Sequence, residues 1–220
     1  MTKLIRYMVA VALFASLPAI RVASAQTRAA SAGSPFDYYL LTLSWAPDFC
    51  GSGAGFKDPN ECGVGRHVGF IVHGLWPQSN QGRGPENCGG PSRVPTSVIN
   101  PTLSVIPSAG LIQHEWKAHG TCTGMSAQDY FALLRNARAA ITIPANFASM
   151  TQTVTANPAD VAKQFSAANP ALLPASVRVT CRGGALEEVR MCLDKNLRPR
   201  GCTNSAGGCN SSKIRILPTR

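Results

Sequence analysis

Apolar positions along the chain fall into stretches with different periods. From Phe36 to Ala46 (FDYYLLTLSWA) they run almost unbroken, the pattern of a buried strand. From His67 to His73 (HVGFIVH) they alternate, with Val68, Phe70 and Val72 facing one way and His67, Gly69, Ile71 and His73 the other. That strand is predicted to end at Gly74. Pro47–Gly65 and 77–107 are rich in Gly, Pro, Ser, Asn and Asp and read as loops. The period then lengthens. Gly110–His119 predicts a helix with Leu111, Ile112 and Trp116 on its apolar side and Gly120 as its cap. A second helix starts at Ser126, where Ser126 and Asp129 form a capping box ahead of Tyr130, Phe131, Leu133, Leu134 and Ala137. Asn157-Pro158 opens a third, running to about Ala168. Val177–Cys181, Leu186–Leu193 and Lys213–Leu217 read as strands. Helices in the middle and strands at both ends predict an α+β fold, an antiparallel sheet with helices packed against it.

The first 25 residues change the picture of where the protein works. Lys3 and Arg6 precede an apolar stretch from Tyr7 to Ile20, and Ala23-Ser24-Ala25 supplies small residues for cleavage before Gln26. Fourteen apolar residues fall short of the roughly 20 that a membrane span needs. A signal peptide over 1–25 and one domain over 26–220 are expected, with residues 26–35 a frayed leader. The product is periplasmic or secreted, with no membrane attachment after cleavage. The full chain of 220 residues carries a net charge of +10. Three of the basic residues (Lys3, Arg6, Arg21) and no acid lie in the leader, so the remainder keeps +7. No run of five like charges exists, which excludes a polybasic arm.

Eight cysteines agree with export: Cys50, Cys62, Cys88, Cys122, Cys181, Cys192, Cys202 and Cys209. None forms a C-x-x-C pair, which argues against structural zinc and thioredoxin-like chemistry. An even count in an oxidising compartment predicts four disulfides, and spacing alone leaves 105 pairings open.

Three of the four histidines sit in two dense segments, Phe70-Ile71-Val72-His73-Gly74-Leu75-Trp76-Pro77 and His114-Glu115-Trp116-Lys117-Ala118-His119-Gly120-Thr121-Cys122. The second invites a zinc reading, but its spacing is H-E-x-x-x-H. At 100° per residue His114 and His119 lie about 140° apart, too divergent to pinch one ion. The same arithmetic puts Ala118 near 40° and Glu115 near 100°, between the imidazoles, with Trp116 and Lys117 outside at about 200° and 300°. Two imidazoles flanking a carboxylate are costly to bury without a purpose. One histidine giving and another taking a proton suits cleavage of a phosphodiester beside a neighbouring hydroxyl. RNA carries that nucleophile as its 2′-hydroxyl, and a basic protein suits a polyanion.

These two segments resemble the active-site signatures of the ribonuclease T2 family of secreted, disulfide-bonded endoribonucleases. F-x-V-H-G-L-W-P matches the first and H-E-W-x-x-H-G-T-C the second. The resemblance implies that His119 deprotonates the 2′-hydroxyl while His73 protonates the leaving 5′-oxygen. A 2′,3′-cyclic phosphate results, opened more slowly by water. His114 takes the place of a phosphate-binding histidine and Glu115 that of a carboxylate supporting the transition state. Trp76 takes that of an aromatic on which a base stacks, a contact worth roughly 1–3 kcal/mol. It also implies the pairs Cys88–Cys122, Cys181–Cys209, Cys192–Cys202 and Cys50–Cys62. RNA is the implied partner, a monomer is expected, and neither cofactor nor metal is called for.

The chain departs from the family pattern twice. The family usually has Lys immediately before the last histidine, where this chain has Ala118, with Lys117 one position earlier. Gln78 stands after Trp76-Pro77, where some members carry an acid that reads adenine, so base preference does not carry over. His67, about 20 Å from His73 along a strand, reads as a structural or surface residue. Asn210-Ser211-Ser212 is a glycosylation sequon. Two other classes stay open: a catalytically weakened secreted RNA-binding protein on the same fold, and a metallohydrolase that a chelator would reveal.

Overall fold

The sheet is built on β1 (Tyr38–Trp45), in which every residue except Ser44 is buried. In the computed structural model, which describes residues 34–53 and 55–219, β1 pairs antiparallel with β2 (Phe70–Gln78) on one side and β5 (Ala185–Leu193) on the other. The signal-peptide expectation over 1–25 lies outside the described residues. Burial of β1 on both faces explains its unbroken apolar run, and the two faces do different things. Tyr39, Leu41, Leu43 and Trp45 enter the main core. There they meet Ile112 and Trp116 of α4 (Ala109–Ala118), Tyr130, Phe131 and Leu134 of α5 (Ala127–Ala139), and Val161 and Phe165 of α6 (Pro158–Ala168). Tyr38 and Leu40 face a smaller cluster with Cys192 and Ala206, and Thr42 and Ser44 continue that row.

The remaining strands are β3 (Val154–Ala156), β4 (Val177–Arg182) and β6 (Ile214–Ile216). The order is β2-β1-β5-β6-β3, with β4 also paired to β5. Pairing is antiparallel except for one parallel bridge between Ala185 and Arg215, so the sheet is mixed rather than purely antiparallel. All four disulfides form the pairs implied above, with Cα–Cα distances of 5.0–5.3 Å.

Several expectations need correction. β2 begins at Phe70 and runs past Gly74 to Gln78. His67 precedes it with φ of +47°, exposed and off the strand, so it does not share a strand face with His73. Pro47–Gly65 is not all loop: it holds α1 (Ala46–Cys50) and α2 (Pro59–Cys62), stapled by Cys50–Cys62. Residues 77–107 contain α3 (Thr96–Thr102), hidden in the sequence by Pro101 within it and by β-branched Thr96, Val98 and Ile99. β3 has three residues, too few to show a period. Helix α4 stops at Ala118, where His119 caps it and a 3₁₀ turn over Gly120–Thr123 follows. Gly120 serves packing instead: a Cβ there would lie 2.3 Å from Trp116 Cε3. Helices α5 and α6 start as predicted, with Ser126 accepting from the Asp129 N–H and Asn157 from the Ala159 N–H.

Candidate active site

The site begins with an irregularity in β2. Thr42 pairs with Gly74 and Leu43 with Val72, which leaves His73 as the extra residue of a β-bulge. In a regular strand His73 and Trp76, three apart, would point to opposite faces. The bulge shifts the phase, so Trp76 pairs opposite Leu40 while Leu75 stays in the core opposite Leu41. Both candidate side chains thereby reach the face that also carries Thr42 and Ser44. Directly opposite, on β5, Glu188 pairs with Ser44 and Arg190 with Thr42.

Glu188 is the residue that holds His73. Its Oε1 lies 2.6 Å from His73 Nδ1, its Oε2 accepts from Arg190 Nε at 2.8 Å, and Ser44 Oγ donates to Oε1 at 3.3 Å. Burial opposes the charge on Glu188, but His73 and Arg190 outweigh it and keep the carboxyl below its usual range. Burial likewise disfavours imidazolium at His73. The Glu188 hydrogen bond, the charge of Glu115 when that carboxyl is ionised and the charge of Glu188 prevail, and the His73 pKa lies above the ordinary 6.5. Arg190 is fixed in turn by the Ala206 carbonyl at 2.9 Å. With Nδ1 engaged, Nε2 is the His73 nitrogen left for the cleft, 3.7 Å from Glu115 Oε1.

Glu115 reaches in from α4 and is 1% exposed. Its Oε2 accepts from Trp76 Nε1 at 2.7 Å, while Oε1 is buried with no hydrogen-bond partner among the described residues. Burial pushes this carboxyl up to about 7, against the pull of His73. Trp76, expected as a stacking surface, is half-buried, and its indole N–H holds Glu115. Its ring lies 5.1 Å from each of the His73 and His119 rings and 5.5 Å from the Arg190 guanidinium. Gly74 makes room for this pair, because a Cβ there would sit 2.0 Å from Glu115 Oε2 and 2.3 Å from Trp76 Nε1. Gly74→Ala is therefore expected to displace Glu115 and lower kcat/KM for the substrate by tenfold or more, with the melting profile recording whether the fold survives.

His119 is buried, and its Nδ1 has no partner among the described residues. Burial first, then the charges of His114 and His73, push its pKa down to about 4. His114 is exposed and lines the cleft with His73. Lys117 is exposed with no ion pair or side-chain hydrogen bond among the described residues, so the structure does not bring it to the other groups. Ala118 is buried, its carbonyl accepting from the Asn87 N–H at 2.7 Å. Beside His73 opens a cleft of 320 Å³ walled by Ser44, Phe49, Glu61, Ile71, Leu111 and His114. Glu61, from α2, is buried there, and burial and the Asp58 charge push it up to about 7. The larger hollow, 610 Å³ between α6 and β4, contains none of these groups. Among the described residues, Cys50, Glu61 and Cys62 form a close set of metal-type donors, but their two sulfurs are bonded to each other and offer no thiolate.

The profile of the ribonuclease T2 family matches residues 36–202, the span that holds every group described in this site. The chain belongs to the ribonuclease T2 family. A probable ribonuclease of Haemophilus influenzae is 39% identical over 114 residues, covering 46% of this chain and 42% of that protein. A ribonuclease of Aeromonas hydrophila is 36% identical over 115 residues, covering 52% of this chain and 51% of that one. The matches thus span about half the length of these two relatives. An RNase-related protein from Calystegia sepium has the same fold, with a TM-score of 0.65 at 23% identity over 84% of this chain and 98% of that chain.

Within this candidate site, the sequence analysis missed Glu188, Arg190 and Glu61. A signal for the first two exists in Leu186-Glu187-Glu188-Val189-Arg190-Met191. Charges at 188 and 190 share one face of a strand whose neighbours are apolar, and a buried carboxylate needs a partner.

Proposed function

We propose that the chain is a metal-independent endoribonuclease that cleaves single-stranded RNA to 2′,3′-cyclic phosphate ends and then hydrolyses these to 3′-phosphates. The observation that carries this reading is that two histidines beside one indole ring are displaced in opposite directions. The pKa of the one expected to act as base is lowered, which favours its neutral form, and that of the one expected to act as acid is raised, which favours its protonated form. His119, pushed down to about 4, stands ready to take the 2′-hydroxyl proton at neutral pH. The 2′-oxygen attacks phosphorus, and the 5′-oxygen leaves with the proton from His73 Nε2. Glu188 and Arg190 act as positioning residues that fix the His73 tautomer. Glu115, neutral below about 7, donates its proton in a hydrogen bond to a non-bridging phosphoryl oxygen. His114 contributes charge or a donor at the phosphate, and base stacking falls to the exposed part of Trp76. Water then reverses the roles, with His73 as base and His119 as acid.

One chain supplies every group, which supports action as a monomer. Four disulfides support an oxidising, periplasmic or secreted location for the domain proposed over 26–220. Among the described residues no helix is long and apolar enough to cross a membrane. The test is digestion of a defined RNA and the matching DNA in EDTA, with the product ends identified. Cyclic phosphate ends from RNA and intact DNA are expected. Cleavage of DNA, or complete dependence on a divalent ion, would sink the mechanism.

One observation favours the second reading, a weakened enzyme that still binds RNA. The usual lysine is absent at the buried position 118, and Lys117 stands in solvent. Lys117→Ala is expected to lower kcat/KM by no more than about threefold, fading with added salt as screened steering does. A large, salt-insensitive fall would place its ammonium on the phosphate.

A further inference from the structure

A second depression adjoins the cleft and contains none of the titratable groups above. It is a groove of 410 Å³ lined by Arg66, Arg135, Arg138, Phe70, Val105 and Pro107. Ile71 of β2 lines both the groove and the active cleft. One stretch of chain also walls both. Leu103, Ser104, Val105 and Pro107 border the groove, and Ser108, Gly110 and Leu111 border the cleft. The Val72 N–H donates to the Val105 carbonyl at 2.9 Å, which fastens this wall to the edge of β2. The groove therefore continues the cleft along one strand.

None of the three arginines has an acidic partner among the described residues. Two are held in place by a single donor. Arg135 Nη1 bonds Thr102 Oγ1 at 2.9 Å, and Arg138 Nη1 bonds the Ile141 carbonyl at 2.8 Å. Their other guanidinium donors have no recorded partner among the described residues. Three uncompensated guanidinium groups repel one another, and a polyanion relieves that repulsion. The planar fork also matches phosphate oxygens two at a time.

We propose that this groove binds the backbone phosphates of the RNA segment on the 3′ side of the cleaved bond. The direction rests on the reading that His73 serves the leaving 5′-oxygen while His119 and Trp76 attend the other nucleotide. The leaving nucleoside then occupies the cleft of Ser44, Phe49 and Leu111, and the chain beyond it passes Ile71 towards the arginines. A dinucleotide carries no phosphate beyond the leaving nucleoside.

The test uses oligonucleotides with one ribonucleotide at the cleavage site and deoxynucleotides elsewhere, lengthened on the 3′ side only or the 5′ side only. Lengthening on the 3′ side by about four nucleotides should raise kcat/KM by roughly tenfold at low salt, as added phosphate contacts do. The Arg66→Gln/Arg135→Gln/Arg138→Gln protein should lose that gain while cleaving a dinucleotide at the unaltered rate. If it loses two phosphate contacts, the slope of log affinity against log salt should fall by about 1.4. Arg66→Glu alone, at an exposed position, should lose part of the gain and guards against a folding defect in the triple variant. Equal gains from 5′ lengthening, or a 3′ gain that survives both variants, would overturn the proposal. Anisotropy with an all-deoxy oligonucleotide, which has no 2′-hydroxyl to react, reads binding separately. If the protein cleaves no RNA, the endoribonuclease reading fails. The groove as an anion site still stands or falls on whether the arginine variants weaken this binding.

Discussion

Replacing His119 or His73 by Ala is expected to lower kcat/KM for RNA by about 10²–10⁴ each, the usual worth of a positioned acid or base. His67→Ala, exposed and off the strand, leaves the rate unchanged. The pH profile of kcat/KM carries the same assignment, because it reports groups of the free enzyme. On the proposed roles, activity should rise as pH passes about 4, where His119 would lose its proton and could serve as base. It should fall as pH climbs through the raised His73 pKa, where the proposed acid would be lost. Glu188→Gln removes the ion-pair partner of His73 and should draw the alkaline limb to lower pH. A merely structural role for Glu188 would leave that limb in place.

Glu115→Ala is expected to cost about 10²–10³ in kcat, the range measured when one donor to a developing oxyanion is removed. The reasoning is geometric. Oε1 is buried and unpartnered among the described residues, 3.7 Å from the His73 nitrogen that faces the cleft, and Trp76 fixes the other oxygen. A neutral carboxyl there donates a hydrogen bond without having to reorganise. Glu115→Gln keeps a donor of similar shape and should restore most of the loss. It should also remove the titration near 7 from the alkaline limb. If Gln is as damaging as Ala, the carboxyl acts through its charge or as a base.

The candidate site was legible because most of it is local in sequence. His73 and Trp76 share one segment, and His114, Glu115 and His119 share another. The helix wheel placed Glu115 between two histidines, but it assumed a regular helix as far as His119. The helix stops at Ala118, His119 takes cap geometry, and position 118 is buried rather than open to the cleft. Glu188 and Arg190 escaped notice because they meet His73 only through strand pairing across more than a hundred residues, and their own segment reads as an ordinary strand. The bulge at His73 was illegible for a related reason: a period of two carries no mark of the extra residue, which shows only against the partner strand. Helices α5 and α6 were plain because their caps, Ser126 and Asn157, act within three residues of themselves. Short helices α1, α2 and α3 owe their existence to a disulfide, to a capping Asp58 and to packing, none of which leaves a long periodic trace.

The assignment of the two histidines can be tested on a substrate whose bridging 5′-oxygen is replaced by sulfur. A thiolate leaves without needing a proton, so the general acid becomes dispensable while the general base does not. The measurement is the cleavage rate of this substrate by His73→Ala and His119→Ala, each against the unaltered protein. The account predicts that His73→Ala regains nearly the full rate and His119→Ala stays slow. Rescue of His119→Ala instead, or of neither variant, would contradict it.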